Sequence, residues 1–419
     1  MNKIFSSLLL IVSVVLIQLP VAVDASAASA EKSEKPKRKT QLVGPSVGKK
    51  VGKAFEAYSA EDIPGALVIL LDIDAKKEYD KAYVARFIAV MYATMGNEEA
   101  KAIQYLKMAV GPDILNEGDH GEAIKLLADL QMQTKDYEGA LVNYKAWMDF
   151  TGKSDGDTWT KIANAHYALK QLDKMIVPAD NAIAAYGDKH NKNPYILKVT
   201  SYYESKKFKD AVETLETVLQ IFPEDKTWWT QLGMFYLLVE DYDKGLETLD
   251  LAYKQGFLEK ESEIKTLASL YSQNEVPYKA ALLLEKHIDS GLVTRDDKNL
   301  ASLANAWHAA QHIDKAAGYY GELAKMTNLA KHYSKQGMLL KQDEQFKSAI
   351  VALNKALELG VKNKGKLHMS IAESHFYLEQ YKQAYKAINL AMKDPKTRKT
   401  AKSWVSFIKD TAQRKKVSI

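Results

Sequence analysis

Two histidines, His308 and His312, stand four residues apart in a chain that holds nine histidines and no cysteine. On a continuous helix that spacing places both on one face. A metal site needs further ligands, and neither a His-Glu-x-x-His string nor a nearby carboxylate pair accompanies them, so no metal is expected. The stretch Gly360-Val361-Lys362-Asn363-Lys364-Gly365-Lys366 has the glycines and lysine of a phosphate-cradling loop. Leu367 follows it, where a Ser or Thr would hold magnesium, and the loop falls between two predicted helices rather than after a strand. It reads as a turn between repeats. Ser46-x-x-Lys49 has the spacing of an acylating serine and lysine but lacks the other motifs such enzymes carry. The missing cysteine removes thiol nucleophiles, zinc–thiolate sites, iron–sulfur clusters and disulfide frameworks together. No catalytic constellation remains, and the chain is expected to be non-enzymatic, with no cofactor and no small-molecule substrate.

Over 419 residues, 58 Lys and Arg face 53 Asp and Glu, a net charge of +5. That excess is too small to argue for nucleic acid. The 23 tyrosines could stack on bases, yet Tyr236, Tyr242 and Tyr271 fall on recurring packing positions, so no nucleic-acid partner is expected.

Residues 1–30 read as a signal peptide. Lys3 supplies a positive start, an apolar stretch runs from Leu8 to Leu19, Pro20 ends it, and Ala25-Ser26-Ala27 and Ala28-Ser29-Ala30 offer small side chains for cleavage between Ala25 and Ala30. Export is therefore expected. The alternative is an uncleaved inner-membrane anchor, because 4–23 is just long enough to span a bilayer. The following residues, 31–45, begin with the strongly polar EKSEKPKRKTQ and are expected to form a basic disordered tether. Membrane contact is expected at most through its Lys35 to Lys39 run.

Beyond the tether one pattern recurs: a small residue near the start of a helix, with bulky residues and Ala at i+4 and i+7. It is read at Ala66, Ala102, Ala140, Met175, Ala211, Gly245, Ala280, Ala316, Ala349 and Ala384, a mean spacing of about 35. The sharpest copy sets Trp229, Leu232, Gly233 and Tyr236 on a first helix and Gly245, Leu249 and Ala252 on a second. Small residues there let antiparallel helices approach, while the rings fill the space beside them. This resembles the tetratricopeptide repeat (TPR), a helix–turn–helix unit with a period of ~34 residues. The expected fold is all-α, a right-handed α-solenoid of about ten TPR-like repeats over 46–395. A C-terminal capping helix and basic tail follow over 396–419, since terminal repeats need a polar outer face.

First helices line the concave face of such stacks. The expected partner-binding groove therefore includes Asp157, Thr160, Asn164 and Tyr167; Ile196, Thr200 and Tyr203; Thr230, Met234 and Leu237; Ser269 and Ser272; and Ala301, Asn305 and His308. The mixed lining suits a peptide or extended protein segment. Asn164 and Asn305 match the Asn of the family's carboxylate clamp, but Thr160 and Ala301 replace its Lys, which argues against capture of a C-terminal carboxylate.

A narrower likeness rests on Trp229-Thr230-Gln231-Leu232, on 251–258 (LAYKQGFL), on Pro277-Tyr278-Lys279-Ala280-Ala281 and on Leu284-Glu285-Lys286. These are similar to exported TPR proteins associated with the TonB energy-transduction system of Gram-negative bacteria. The resemblance implies a periplasmic protein–protein interaction scaffold, an accessory of the TonB, ExbB and ExbD machinery that energises outer-membrane transport. The alternative is a general cell-envelope assembly factor or chaperone for outer-membrane or secretion proteins.

Overall fold

The computed structural model describes residues 38–419; the expected signal peptide and the tether up to residue 37 lie outside the described residues. Every regular element among them is helical. The chain divides into two compact units, one ending at Lys153 and the other running from Ser154 to Ile419, whereas the sequence reading draws one unbroken tract over 46–395. Gly152, Lys153 and Ser154 between them bury nothing.

The first unit holds three helical hairpins: α1 (Pro45–Ser59) with α2 (Ile63–Leu71), α3 (Glu78–Met95) with α4 (Glu99–Val110), and α5 (Glu117–Gln133) with α6 (Tyr137–Thr151). Each helix packs on the next, around a core that includes Leu70, Leu106 and Leu115. The second unit holds seven hairpins. These are α7 (Gly156–Ala168) with α8 (Ile176–Tyr186), α9 (Lys192–Glu204) with α10 (Phe208–Ile221), and α11 (Lys226–Leu238) with α12 (Tyr242–Lys254). Then come α13 (Glu261–Gln273) with α14 (Pro277–Asp289), α15 (Asp297–Ala309) with α16 (Ile313–Thr327), α17 (Ala330–Gln342) with α18 (Phe346–Glu358), and α19 (Lys364–Tyr377) with α20 (Tyr381–Ala391). The single helix α21 (Arg398–Arg414) covers the last hairpin with Ala401 and Ile408 and turns its lysines outward. Helix pairs stacked in sequence order around shared cores make the fold a TPR-like helical repeat.

All ten anchor residues are buried. Nine of them are the fourth residue of the second helix of a hairpin. The tenth, Met175, ends a short 3₁₀ turn, Leu172–Met175, that precedes α8. Pro178 explains the exception: it has no N–H to give the carbonyl of Lys174, so an α-helical first turn cannot close there. A small side chain at the anchor lets the paired helix come close. The contact is a van der Waals fit that one extra methylene disturbs.

The turn inside each hairpin carries a second regularity. A left-handed residue sits two positions before the start of every second helix or its 3₁₀ turn: Glu61, Asn97, Lys135, Lys170, Lys206, Glu240, Glu275, Gln311, Glu344 and Glu379, with φ between 57° and 64°. Long unbranched side chains tolerate this region at a cost, and β-branched ones do not. Glu240→Ile is therefore expected to lower the stability of the second unit by about 1–2 kcal/mol, with Glu240→Asn close to neutral. Chemical denaturation of the two variants checks this; equal midpoints would show that the turn carries no strain.

Candidate functional site

Within the second unit the first helices of successive hairpins stand side by side. The Tyr167 hydroxyl on α7 donates to Glu204 Oε1 on α9 at 3.3 Å, and the Tyr203 ring on α9 lies 5.7 Å from that of Phe235 on α11. Further along, Ser370 Oγ on α19 reaches Met338 Sδ on α17 at 3.2 Å, and Lys341 pairs with Glu373. At the helix starts a ladder of charges repeats at the hairpin spacing. Lys192 meets Asp225 at 2.6 Å, Lys226 meets Glu259 at 2.6 Å, and Glu261 accepts from Thr294 at 2.9 Å and Asn299 at 3.0 Å. Each exposed pair contributes little alone, about 0–1 kcal/mol. Its periodic recurrence fixes the register of one first helix against the next.

A second ladder lies deeper, where each hairpin meets the one before. Tyr236 donates to Glu216 at 2.5 Å while Lys244 stands 5.3 Å above the tyrosine ring and 3.7 Å from the same carboxylate. One repeat on, Tyr271 donates to Asp250 beneath Lys279. In the next repeat, Lys315 lies 4.0 Å over Trp307 and 3.1 Å from Glu285, which also accepts from Tyr319 at 2.6 Å. Burial, and then the hydrogen bond to the acid, holds Tyr236, Tyr271 and Tyr319 well above the usual tyrosine range. These neutral hydroxyls donate to carboxylates across the hairpin boundary, so the ladder joins one hairpin to the next.

The residues read from sequence as groove-lining divide by what their side chains already do. Asn164, Ile196, Ser269, Ser272 and Asn305 are exposed, and Tyr167, Thr200, Tyr203, Thr230, Met234 and His308 are half-buried. Several polar groups have internal partners. Asn164 Nδ2 donates to the Thr160 carbonyl at 3.1 Å, Asn305 accepts from Tyr320 at 2.5 Å, and the Thr230 hydroxyl donates to the Thr227 carbonyl at 3.0 Å. Asp157 accepts from Tyr186 at 2.5 Å, and burial together with that bond pushes the Tyr186 hydroxyl up to about 12. Thr160 is buried, with its hydroxyl on the Gly156 carbonyl at 2.7 Å. Leu237 turns into its own hairpin, where its Cδ2 lies 2.8 Å from the position a Cβ on Gly245 would take.

Of the packing residues, Leu232, Gly233, Tyr236, Gly245 and Ala252 are buried. Trp229 is half-buried, packs against two of the cores and donates to the Pro223 carbonyl at 2.8 Å, while its neighbour Trp228 is buried outright. A one-residue shift moves a side chain about 100° round a helix, and the period alone does not separate two adjacent tryptophans. His308 and His312 do not share a helix face. Helix α15 ends at Ala309, and the His312 ring packs instead 5.1 Å from Trp307 and 5.3 Å from Tyr278. Of the glycine–lysine string at 360–366, residues 360–363 lie in the turn between α18 and α19, with Gly360 at φ 86°, and Lys364, Gly365 and Lys366 open α19.

Among the described residues no group of three or more His, Asp or Glu is placed to hold a metal ion, and no helix is long and apolar enough to cross a membrane. Burial draws His120, His287, His308, His332 and His368 below the usual histidine range. Each binds its proton less readily in the folded than in the unfolded chain, so stability is full above the unfolded value, about 6.5, and falls as pH drops below it. Melting at pH 5.5 is expected several degrees below melting at pH 7.5. Equal or higher melting at pH 5.5 would contradict the burial of these rings.

No family model matches the chain, and no curated protein matches it. Among solved structures it is similar to a tetratricopeptide repeat protein from Parabacteroides merdae, at 14% identity over 61% of this chain and 98% of that one, with a TM-score of 0.35. It is also similar to YrrB, described as a TPR protein with an unusual peptide-binding site, at 17% identity over 43% of this chain and 92% of that one, TM-score 0.35. A third is MamA from Desulfovibrio magneticus RS-1, at 16% identity over 42% of this chain and 96% of that one, TM-score 0.34. The TPR-like fold stands on the chain's own hairpins.

Proposed function

We propose that this chain is a non-enzymatic scaffold that binds a protein segment on the first helices of its second unit, and that it serves a TonB–ExbB–ExbD type complex in the periplasm after removal of its signal peptide. The observation that carries the binding reading is the row of first helices. Ile196, Thr200, Thr230, Met234 and Ser269 belong to three consecutive first helices, α9, α11 and α13, and are left exposed or half-buried, while Tyr195, Val199, Leu232, Tyr236, Leu267 and Ala268 beside them are buried. Apolar and polar groups alternate along that row, which suits the side chains and backbone of an extended segment. The envelope system is supported by the sequence likeness over residues 190–290 and by the signal-like N-terminus.

Deletion tests the system. Loss of uptake of iron complexes, restored by the intact chain and not by one carrying Met234→Glu and Ser269→Arg, is the expected result. Normal uptake with altered levels of outer-membrane proteins would overturn the TonB assignment and favour an envelope assembly factor.

A further inference from the structure

Residues 38–44 do not trail in solvent. They cross the first unit and meet it through polar contacts at Arg38, Gln41 and Gly44, three residues apart, with Val43 packed on its core. Arg38 is the first contact. Its guanidinium pairs with the Asp113 carboxylate, donates to the carbonyls of Asp113 at 3.0 Å and Leu115 at 3.1 Å, and lies 4.6 Å over the Phe150 ring. Asp113 is held from below by buried His120, whose Nε2 is 2.9 Å away. Gln41 is the second contact. Its backbone N–H donates to Asn116 Oδ1 at 2.8 Å, and Asn116 Nδ2 donates back to the Gln41 carbonyl at 3.1 Å and to Tyr79 at 2.7 Å. Gly44 is the third. Its N–H donates at 2.9 Å to Asp80, a buried carboxylate, and a Cβ on Gly44 would stand 2.9 Å from Asp80 Oδ2. Between these points Lys39, Thr40 and Leu42 face solvent, Leu42 with 87% of its surface exposed.

The three contacts differ in what they read. Asn116 grips the backbone of Gln41, whose side-chain amide also donates to the Ile114 carbonyl at 3.1 Å. The Asp113–Phe150 socket reads a planar cation: two carbonyls and a carboxylate meet its donors in plane while the ring covers its face, a fit that Lys cannot make. Asp80 reads an N–H with no side chain beside it.

From this geometry we infer that the α4–α5 turn, the start of α3 and the end of α6 form a binding site for an extended arginine-bearing segment of the pattern Arg-x-x-x-x-x-Gly, held shut in cis by the chain's own residues 38–44. The site lies in the first unit and is independent of the first-helix row of the second. A segment of the same pattern from another chain engages it by displacing the strap.

The test uses the full-length chain and a labelled peptide of residues 36–44, PKRKTQLVG. In the variant Arg38→Ala/Gln41→Pro, which loses the guanidinium and the N–H gripped by Asn116, the peptide is expected to bind one-to-one and saturably. The parent should bind it about tenfold more weakly, because its tethered strap competes at an effective concentration on the order of millimolar. Adding Asp113→Ala or Asn116→Ala to the opened variant should abolish binding, with circular dichroism confirming that helix content is unchanged. No binding to the folded open variant, equal binding to the parent, or indifference to both added substitutions would overturn the site. Amide exchange on the parent alone gives a second reading. Gln41 and Gly44 should be protected while Lys39 and Leu42 exchange freely, and unprotected exchange at all four would overturn it as well.

Discussion

Gly233→Val is expected to destabilise the second unit by about 3 kcal/mol, the upper end of what overpacking costs in a filled core. A Cβ at Gly233 would lie 2.5 Å from Leu249 Cγ and 2.6 Å from its Cδ2, and Leu249 is fully buried where α11 crosses α12. A valine there enters only by displacing a leucine that has no exposed surface. The same crossing recurs three hairpins on, where a Cβ at Gly337 would lie 2.6 Å from Leu353 Cγ and 3.1 Å from its backbone nitrogen. Gly245→Ala is expected to be far milder. Its nearest neighbour is the tip of Leu237, which is only half-buried and can turn aside. Denaturant midpoints of the two variants check the order; Gly233→Val melting like the parent would show that the crossing is not close-packed.

Trp307→Ala should cost about 3–5 kcal/mol, the range for removing a fully buried ring. Only 1% of Trp307 is exposed, with Tyr278 packed edge-on at 5.6 Å, His312 at 5.1 Å and Lys315 over its face at 4.0 Å. Emptying the site also strands Lys315 and Glu285 beside a cavity and loosens the join between α14 and α16. Trp307→Phe separates packing from polarity. The indole Nε1 is buried and finds no acceptor among the described residues, so phenylalanine loses contact area but removes an unsatisfied N–H, and its cost should stay below about half that of alanine. A Phe variant as unstable as the Ala variant would mean that the N–H does find a partner.

The anchors at Ala66 through Ala384 are legible because one small residue per 35 is a local pattern that packing enforces in every hairpin but the one anchored at Met175. The turn residues are not. Lys135, Glu275 and Gln311 carry no sequence sign of a left-handed backbone, and the conformation is imposed by the two helices they join. Residues 38–44 misled for another reason. Arg38, Gln41 and Gly44 fall in a stretch that reads as a tether, while their partners Asp113, Asn116 and Asp80 lie 36 to 75 positions away in the chain, beyond any local pattern. Leu237 and Thr160 illustrate the limit within a helix. The repeat fixes which helix a residue occupies, but which of two adjacent faces it turns inward depends on the depth of the next hairpin.

The central claim is that the first-helix row of the second unit binds a protein partner. Affinity purification of the chain from cross-linked envelopes, in parallel with Thr230→Arg and Met234→Glu variants of unchanged helix content, tests it most directly. TonB, ExbB or ExbD should be recovered with the parent and reduced at least tenfold by either variant. Recovery of the same proteins undiminished with both variants would contradict it, because the partner would then be held by some other surface.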